Sequence, residues 1–401
     1  MEKQVKKIVL AYSGGLDTSV ILPWLHERYP GCEVIAYAGD VGQGKGELDG
    51  IEKKALASGA SKCIVGDLRK EFAEQYCFPM LKAGALYEDR YMLGTSIARP
   101  LIAKGQVECA HKEKADAVAH GSTGKGNDQV RFELTYMALA PELTIIAPWK
   151  DTKFQLTSRE AAIDYAKLHN IPIAQSKKKI YSRDRNLWHI SHEGADLEDP
   201  NNEPQDNLWV MSVPVSKAPA KPSYVTIDFK AGVPLALDGV RLAGHELIAR
   251  LNEIGGKHGV GQVDLVENRL VGIKSRGAYE TPGGTILFEA HRAIESITLD
   301  RETYHYKQQV ALKYAEMVYN GQWFCPLREA LDAFVDRTQA GVTGAVRIKC
   351  FKGRATAAGV TSPKSLYSGK LASFTMGSEY TPTDAIGFIK LFGLQMRGRG
   401  K

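Results

Sequence analysis

Short apolar runs alternate with amphipathic segments between residues 7 and 147 of the chain. Five runs predict strands: 7–12, 33–38, 63–65, 116–119 and 144–147. Between them, 19–29 and 50–58 carry apolar residues at three- and four-residue spacing, which predicts helices. Continuous apolar strands that alternate with such helices indicate a doubly wound parallel sheet, in an α/β fold. Because ligands of these sheets bind beyond the carboxyl ends of the strands, the loops that follow strands are the candidate sites.

The pattern changes after a last helical segment at 157–170. Residues 198–223 are rich in proline, asparagine and aspartate, which predicts loop structure. Beyond them, 224–229, 263–266 and 344–351 predict strands, whereas 242–254 and several stretches between 286 and 334 predict helices. A second, α+β domain is therefore expected, followed by an arm with a helix at 384–392. In the first domain, the helix around Pro100 is expected to begin or to kink at the proline.

Composition and charge exclude several classes of protein. Of 401 residues, 44% are hydrophobic and 24% are charged, so the chain can form a core and is not disordered. The net charge of +6 is small, and the basic runs at 177–179 and 397–401 are short, which favours small anions over nucleic acid as ligands. No apolar run approaches the roughly 20 residues that cross a bilayer. Six scattered cysteines without a C-x-x-C pair suit a reducing cytoplasm.

The strongest chemical signal is the string SGGLDTS at 13–19, directly after the first predicted strand. Gly14 and Gly15 allow a tight turn and close approach to a ligand. The main-chain N–H groups of the turn and of the helix start form a cradle for an anion. Further donors are the hydroxyls of Ser13, Thr18 and Ser19. Asp17 would be repelled by a phosphate unless a cation lay between them, which points to Mg²⁺.

This string is not a Walker A motif, because G-x-x-x-x-G-K-[ST] is absent. It resembles the pyrophosphate-binding loop of the N-type ATP pyrophosphatases. That resemblance implies that ATP is cleaved between its α and β phosphates, that AMP passes to an acceptor, and that the loop holds pyrophosphate.

A second glycine-rich loop, HGSTGKGNDQ at 120–129, follows the fourth predicted strand. A surface turn would explain its glycines but not its many donors and acceptors. Together with the start of the next predicted helix, the loop can hold both ends of an amino acid. Arg131 can pair with a carboxylate and Asp128 with an ammonium, while Thr123 and Asn127 supply neutral hydrogen bonds.

Four further polar segments lie at 87–96, 181–191, 266–269 and 274–282. Each alone is consistent with an ordinary polar loop or, for the first, a salt-bridged helix end. In this order and spacing, however, the glycine-rich and polar segments together resemble the argininosuccinate synthase family, from residue 9 to about 392. The strings that carry the resemblance are AYSGGLDTS, ALYEDRY, TGKGNDQVRFE and KSRGAYETPGGT. The last five residues, RGRGK, depart from the longer tail of some members.

The resemblance implies an ATP-dependent ligase of arginine biosynthesis. Such an enzyme condenses citrulline with aspartate through a citrullyl-AMP intermediate and releases AMP and pyrophosphate. ATP would act with Mg²⁺, in a homotetramer. The resemblance also implies a nucleotide-binding domain at 1–170, a synthetase domain at 171–375 and an oligomerisation arm at 376–401.

The family's site residues transfer to this sequence position by position. The ATP-binding set would be Ala11, Tyr12, Ser13, Gly14, Gly15, Leu16, Asp17, Thr18, Ser19, Ala38 and Gly121. The aspartate-binding set would be Thr123, Asn127 and Asp128. The citrulline-binding set would be Tyr91, Ser96, Asn127, Arg131, Ser182, Ser191, Glu267 and Tyr279. Catalytic roles are expected for Ser13, Asp17 and Asp128, with Asp17 contacting the metal.

Two alternatives remain open at this point. A tRNA-thiolating enzyme uses the same type of loop, but it needs a reactive cysteine pair and an RNA-binding basic face, which this sequence does not indicate. A non-catalytic ATP-binding scaffold would not need the full set of amino-acid-binding residues. The sequence identifies no dedicated general base.

Overall fold

The computed structural model describes residues 5–44, 46–124, 126–156, 158–172, 181–375 and 379–400. Its first part is a parallel sheet of five strands in the order β3-β2-β1-β4-β5. The strands are β1 (Lys7–Ala11), β2 (Glu33–Asp40), β3 (Lys62–Asp67), β4 (Ala117–Ala119) and β5 (Thr144–Ile146). All five predicted strands are confirmed. The strand order reverses between β1 and β4, so the loops after these two strands flank the crevice where ligands of such sheets bind.

Helices cover both faces of this sheet. They are α1 (Leu16–Arg28), α2 (Ile51–Ala57), α3 (Arg69–Glu71), a π-helical turn (Phe72–Cys77), α4 (Phe78–Ala83), α5 (Gly94–Lys112), α6 (Asp128–Leu139) and α7 (Arg159–Leu168). Successive side chains of β1 point to opposite faces. Ile8 and Leu10 pack with α1 and α2, whereas Val9 and Ala11 pack with α5 and α6. The doubly wound α/β fold is thus confirmed.

The prediction for the helix around Pro100 is wrong about where that helix starts. Helix α5 begins at Gly94 and runs on to Lys112, with Pro100 in its interior. The proline removes one main-chain hydrogen bond from the helix. Burial of most of α5 against the sheet and the rest of the core offsets this loss.

The second part contains two antiparallel sheets. A five-stranded sheet has the order β10-β9-β8-β13-β14, and a four-stranded sheet has the order β11-β12-β7-β6. The strands are β6 (Ser182–Arg185), β7 (Ile190–Glu193), β8 (Ser223–Lys230), β9 (Val233–Leu237), β10 (Val240–Arg241), β11 (Gln262–Asn268), β12 (Lys274–Glu280), β13 (Gly344–Phe351) and β14 (Arg354–Thr361). The strands predicted at 224–229, 263–266 and 344–351 are confirmed within β8, β11 and β13. The segments read as polar loops at 181–191 and 274–282 instead contain β6, β7 and β12.

The helices of this part follow the predicted pattern. They are α8 (Gly244–Lys257), α9 (Pro282–Thr298), α10 (Arg301–Tyr319), α11 (Pro326–Gln339), α12 (Asp384–Phe392) and α13 (Leu394–Arg397). The basic run at 177–179 lies outside the described residues. None of the helices in the described ranges combines the length and the apolar composition needed to cross a bilayer.

One apolar cluster joins the two parts of the chain. It contains Phe72 and Leu101 from the first part together with Leu247, Ile286 and Tyr314 from the second. The same cluster contains Leu265 and Tyr279 of the four-stranded sheet, so this sheet lies against the first part. Arg99 bonds to both Asp128, after β4, and Asp184, on β6, and we call the region around these bonds the cleft.

Glu280, at the end of β12, is fully buried and ties its sheet to the segment before β8. Its carboxylate accepts hydrogen bonds from the N–H groups of Val210, Met211 and Ser212 at 2.7–3.0 Å. The Ser212 hydroxyl donates at 2.6 Å, and a ring nitrogen of His192 lies at 2.8 Å. A buried carboxylate is tolerated when its lone pairs are filled in this way.

We expect Glu280→Gln to lower the free energy of unfolding by about 3 kcal/mol, because an amide N–H would face donors that now point at the carboxylate. Chemical denaturation of both proteins measures the difference. The matched control is Glu253→Gln, an exposed position on α8, where a change within about 0.5 kcal/mol is expected. Equal stability of Glu280→Gln and the parent chain would contradict this role.

Candidate active site

The SGGLDTS string forms the turn between β1 and α1. Gly14 has a φ of 72°, in the left-handed region that favours glycine. The Ser13 hydroxyl accepts from the N–H of Gly15 at 3.3 Å and lies 3.2 Å from the Thr18 hydroxyl. The residue that precedes α1 is Gly15, and no side chain of the described residues caps the first turn of this helix. Its N–H groups are therefore available to an anion in front of the loop.

Charged side chains from three helices surround this turn. Asp17 lies in the first turn of α1, where partial burial raises its pKa and the charge of Arg159 opposes the increase. The ammonium of Lys54, on α2, donates to the carbonyl of Gly14. The turn thus combines neutral donors, one carboxylate and two nearby cations.

The second glycine-rich loop packs directly on the first. A Cβ atom at Gly121 would lie 3.0 Å from the side chains of both Thr18 and Ile21, so a larger residue would push the loops apart. Thr123 is exposed in this loop. The expected ATP-binding residues all lie near the carboxyl ends of β1, β2 and β4. They are Ala11, Tyr12, Ser13, Gly14, Gly15, Leu16, Asp17, Thr18, Ser19, Ala38 and Gly121.

Asp128, at the start of α6, is paired with two guanidinium groups. Arg99 Nε donates to one of its oxygens at 2.7 Å and Arg131 Nη1 to the other at 2.9 Å. Burial alone would raise the pKa of Asp128, but the two cations, Arg99 first, outweigh burial and hold the pKa below its ordinary value. Asp128 is therefore an anion near neutral pH and a weak base.

Arg99 also reaches the four-stranded sheet. Its Nη2 donates at 2.8 Å to Oδ2 of Asp184, on β6, which accepts a second bond at 2.9 Å from the Thr95 hydroxyl. The same hydroxyl lies 2.9 Å from Nε2 of His189. Burial lowers the pKa of His189 to about 3, with a further contribution from the charge of Arg99, so the ring is neutral.

A third group of contacts surrounds Glu267, on β11. Tyr279 and Tyr319 donate their hydroxyls to its two oxygens at 3.0 and 2.9 Å. Burial raises the pKa of Glu267, and the two phenols partly offset the increase. A Cβ atom at Gly277 would lie 2.5 Å from the Tyr279 hydroxyl, so glycine is required there.

Arg131 connects this group to Asp128. Its Nε and Nη2 donate to the carbonyl of Tyr319 at 3.2 and 3.0 Å, and its guanidinium lies 5.2 Å from the centre of the Tyr319 ring. Asn127 accepts a bond from the N–H of Leu270 at 3.1 Å. The start of α6 is therefore bonded to α10, and the second loop to the segment after β11.

The remaining residues of the expected citrulline set lie around this cleft. Tyr91 is buried with its ring 4.6 Å from that of Tyr279. Ser96 is fully buried, and its hydroxyl lies beside that of Tyr91. Ser191 is opposite both Asp184 and Tyr279 in register, and Ser182 is exposed two residues before Asp184. Because directly opposed residues point to the same face, these strands present their polar side chains together.

Sequence reasoning missed two residues of this arrangement. Neither Arg99 nor Tyr319 was singled out, and no role was given to Asp184, Thr95 or His189 within the quoted strings. An arginine one helical turn after Thr95, inside a largely buried helix, is a signal for Arg99. Nothing local marks Tyr319, which is 188 residues from Arg131.

The side chains of the described residues form no cluster of three or more histidine, cysteine or acidic groups that could hold a metal ion. Magnesium is commonly held by one or two carboxylates together with substrate phosphates. Asp17 beside an anion-binding turn fits this donor pattern, so an ion would have to arrive with the nucleotide.

Comparison with known proteins gives full-length matches. The family models described as "Arginosuccinate synthase N-terminal HUP domain" and "Arginosuccinate synthase C-terminal domain" match residues 7–172 and 181–398. The argininosuccinate synthase of Roseiflexus sp. (strain RS-1) is 58% identical over 397 residues, covering 99% of this chain and 97% of that protein. The Carboxydothermus hydrogenoformans protein is 60% identical, with coverage of 98% and 97%. The chloroplastic protein of Arabidopsis thaliana is 57% identical, with coverage of 99% and 80%.

Among solved structures, the U34-tRNA thiolase NcsA from Methanococcus maripaludis aligns with 44% of this chain and 61% of its own. The identity is 16% and the TM-score is 0.29, too low to bear on function. The two family models instead span both glycine-rich loops, the four-stranded sheet and the arm. With relatives at 57–60% identity over nearly the whole chain, this chain belongs to the argininosuccinate synthase family.

Proposed function

We propose that the chain joins citrulline to aspartate at the expense of ATP, forming argininosuccinate, AMP and pyrophosphate. One observation carries this proposal: the loop at 120–129 packs on the phosphate-type turn through Gly121 and leads into Asp128. Asp128 is paired with Arg131, which bonds to Tyr319, the partner of Glu267. An anion site and groups for two amino acids therefore share one cleft. Neither a thiolating enzyme nor an inactive scaffold requires such a cleft.

ATP is assigned to the turn after β1. The uncapped N–H groups of α1, with the Ser13 and Thr18 hydroxyls, would hold the outer phosphates, and Gly121 leaves room beside them. The α-phosphorus would then face the amino-acid groups, with Ala11 and Ala38 at the strand ends near the base.

Aspartate is assigned to the second loop. Asp128 is an anion suited to an ammonium group, and Thr123 and Asn127 supply neutral hydrogen bonds. Because two cations hold the pKa of Asp128 down, this residue orients the amine and does not take up its proton.

Citrulline is assigned to the face of the four-stranded sheet. Arg131 retains N–H groups for a carboxylate, and the buried Glu267 offers an anion for an ammonium. The Ser96 hydroxyl is buried beside the Tyr91 hydroxyl, and we assign both to polar contacts with citrulline. The remaining members of this proposed set are Asn127, Ser182, Ser191 and Tyr279.

The reaction proceeds in two steps. The ureido oxygen attacks the α-phosphorus and pyrophosphate leaves; the aspartate amine then attacks the ureido carbon and AMP leaves. A urea oxygen is a poor nucleophile, so this chain has to supply alignment and charge stabilisation, and alignment alone is worth up to about 7–11 kcal/mol in ideal cases. The fixed ion pairs of the cleft suit that task.

Magnesium is proposed to accompany ATP, with Asp17 as its one protein carboxylate. The ion would neutralise charge on the leaving pyrophosphate.

The decisive test of the proposed function is nucleotide analysis after incubation with Mg-ATP, citrulline and aspartate. We expect AMP and argininosuccinate in equal amounts, because each condensation consumes one ATP. Omission of either amino acid should abolish argininosuccinate. Formation of ADP, or of AMP without any dependence on citrulline, would refute the assignment.

The same assay tests the metal. With Asp17→Asn, turnover should fall and half-maximal activity should require more Mg²⁺, since one ligand has lost its charge. If the variant had the parent's turnover at every Mg²⁺ concentration, the metal role of Asp17 would be wrong.

Acidification should weaken citrulline binding selectively. The raised pKa of Glu267 means that this group is protonated at a higher pH than an ordinary glutamate, whereas Asp128 stays ionised. Between about pH 8 and about pH 5.5, we expect the KM for citrulline to rise and the KM for aspartate to change less. Steady-state kinetics across this range measures both constants.

The variant Glu267→Gln should raise the citrulline KM about 10- to 100-fold and remove its pH dependence. The matched control is Glu193→Gln, on the same face of the sheet but outside the proposed citrulline set. A pH-dependent citrulline KM that persisted in Glu267→Gln would assign the titration to another group.

A homotetrameric, cytoplasmic enzyme is also proposed, with the division at 1–170, 171–375 and 376–401. Helix α12 has no buried residue, although it carries Phe388 and Phe392. Phe374 is fully exposed before it. So many exposed apolar side chains on a terminal arm favour docking on another subunit.

We therefore expect the parent chain to have the mass of four subunits in solution by light scattering. The double variant Phe388→Asp, Phe392→Asp should have a lower mass, because charges would enter the subunit contact. Lys390→Ala, on the same helix, is the control and should keep the parent's mass. A monomeric parent chain would exclude the tetramer.

A further inference from the structure

Asp184, on β6, has one unused carboxylate oxygen. Arg99 and Thr95 both donate to its Oδ2, and Oδ1 accepts no hydrogen bond from the described residues. The side chain is 31% exposed, so it reaches the open cleft. Both oxygens of Asp128 and of Glu267, in contrast, are already bonded.

The position of Asp184 follows from its two neighbours. It shares the guanidinium of Arg99 with Asp128, at 2.8 and 2.7 Å, so the two carboxylates lie side by side. It also lies opposite Ser191 in the sheet, two residues from Ser182. Asp184 thus lies where the proposed aspartate and citrulline groups meet.

The position of Asp184 indicates which part of citrulline it contacts, an inference that rests on the proposed function. The reaction joins the aspartate nitrogen to the ureido carbon, so the two must approach to about 3–3.5 Å. If Asp128 holds that nitrogen, the ureido group must lie next to Asp128, within reach of Asp184. The α-carbon end of citrulline then points toward Glu267 and the side of Arg131 that faces Tyr319.

The charge that develops in the first step explains why a carboxylate at this contact would help the reaction. The ureido oxygen forms a bond to the α-phosphorus while the bond from phosphorus to the pyrophosphate oxygen breaks, and the electron pair leaves with pyrophosphate. No proton moves. The ureido carbon and its two nitrogens are left with one positive charge. A carboxylate that accepts their N–H groups binds this cation more strongly than the neutral ureido group.

We propose that Asp184 is a catalytic residue that accepts hydrogen bonds from the ureido N–H groups and stabilises the cationic citrullyl-AMP. Arg99 and Thr95 are positioning residues, which fix Oδ2 and leave Oδ1 facing the substrate. The ring of His189 contacts Thr95 and is neutral, so it adds no further positive charge near Asp184.

Arginine is the probe for this contact, because it has the α-carbon end of citrulline and a cationic tip. The parent chain should bind arginine, measured by its competition with citrulline. In Asp184→Asn, we expect arginine binding to weaken at least about 30-fold more than citrulline binding, since only arginine loses an ion pair. The control is Glu193→Gln, a carboxylate on the same face of the sheet that is paired with Arg269. It should keep a ratio of arginine to citrulline affinity close to the parent's.

The first chemical step supplies a second measurement. Without aspartate, the exchange of labelled pyrophosphate into ATP reports citrulline-dependent adenylation. Asp184→Asn should slow this exchange about 100-fold or more, whereas its citrulline affinity should change less than about tenfold. A merely structural role would not separate the two quantities in this way. Thr95→Val should slow the exchange much less.

Three results would overturn the proposal: no arginine binding to the parent chain, an unchanged affinity ratio in Asp184→Asn, or unchanged pyrophosphate exchange. If Asp184→Asn fails to fold, Asp184→Glu takes its place: it keeps the charge and should keep arginine binding, and a folded Asp184→Glu chain that lost arginine binding would also overturn the proposal. Failure of the proposed function differs from all of these, because the parent chain itself would then form no AMP from citrulline and aspartate.

Discussion

The cleft depends on the pairing of Arg99 and Arg131 with Asp128 and Asp184. Charges removed from water are tolerated only when they are paired and hydrogen-bonded. Arg131 is almost fully buried, and its partners come from its own helix and from the end of α10. Arg99 in turn connects the start of α6 with strand β6. These pairs form together only when the parallel sheet, α10 and the four-stranded sheet have docked, so one packing arrangement creates the whole cleft.

The same pairing sets the protonation states on which the chemistry depends. Two guanidinium groups outweigh burial at Asp128 and lower its pKa, whereas Glu267 has only phenols as direct partners and its pKa is raised by burial. His189 is buried beside Arg99, so its pKa falls to about 3. The groups nearest the proposed aspartate site are thus a fixed anion and its two guanidinium partners, and the ring of His189 beyond Thr95 is neutral. They suit holding and orienting charge better than transferring protons, as phosphoryl transfer by positioning requires.

The sequence predicts this molecule best where the information is local. Buried parallel strands such as β1 and β2 are continuous apolar runs, and the turn after β1 has a distinctive string of residues. Strands β6, β7 and β12 were read as loops because their functional polar side chains interrupt any apolar pattern. Arg99 and Tyr319 were missed because their roles come from contacts across 85 and 188 residues, which no local pattern records. The family resemblance supplied residues such as Glu267, whose neighbours on other elements could not be deduced from spacing.

The environment of the cysteines argues against a tRNA-thiolating enzyme. All six cysteines are within the described residues and none forms a disulfide. Burial raises the pKa of five of them: Cys32, Cys63, Cys77, Cys109 and Cys350. A reactive cysteine needs the opposite shift, from a nearby cation or a helix start. In this chain the buried cations next to the cleft are paired with carboxylates instead, and this arrangement favours the binding of zwitterionic amino acids over sulfur transfer.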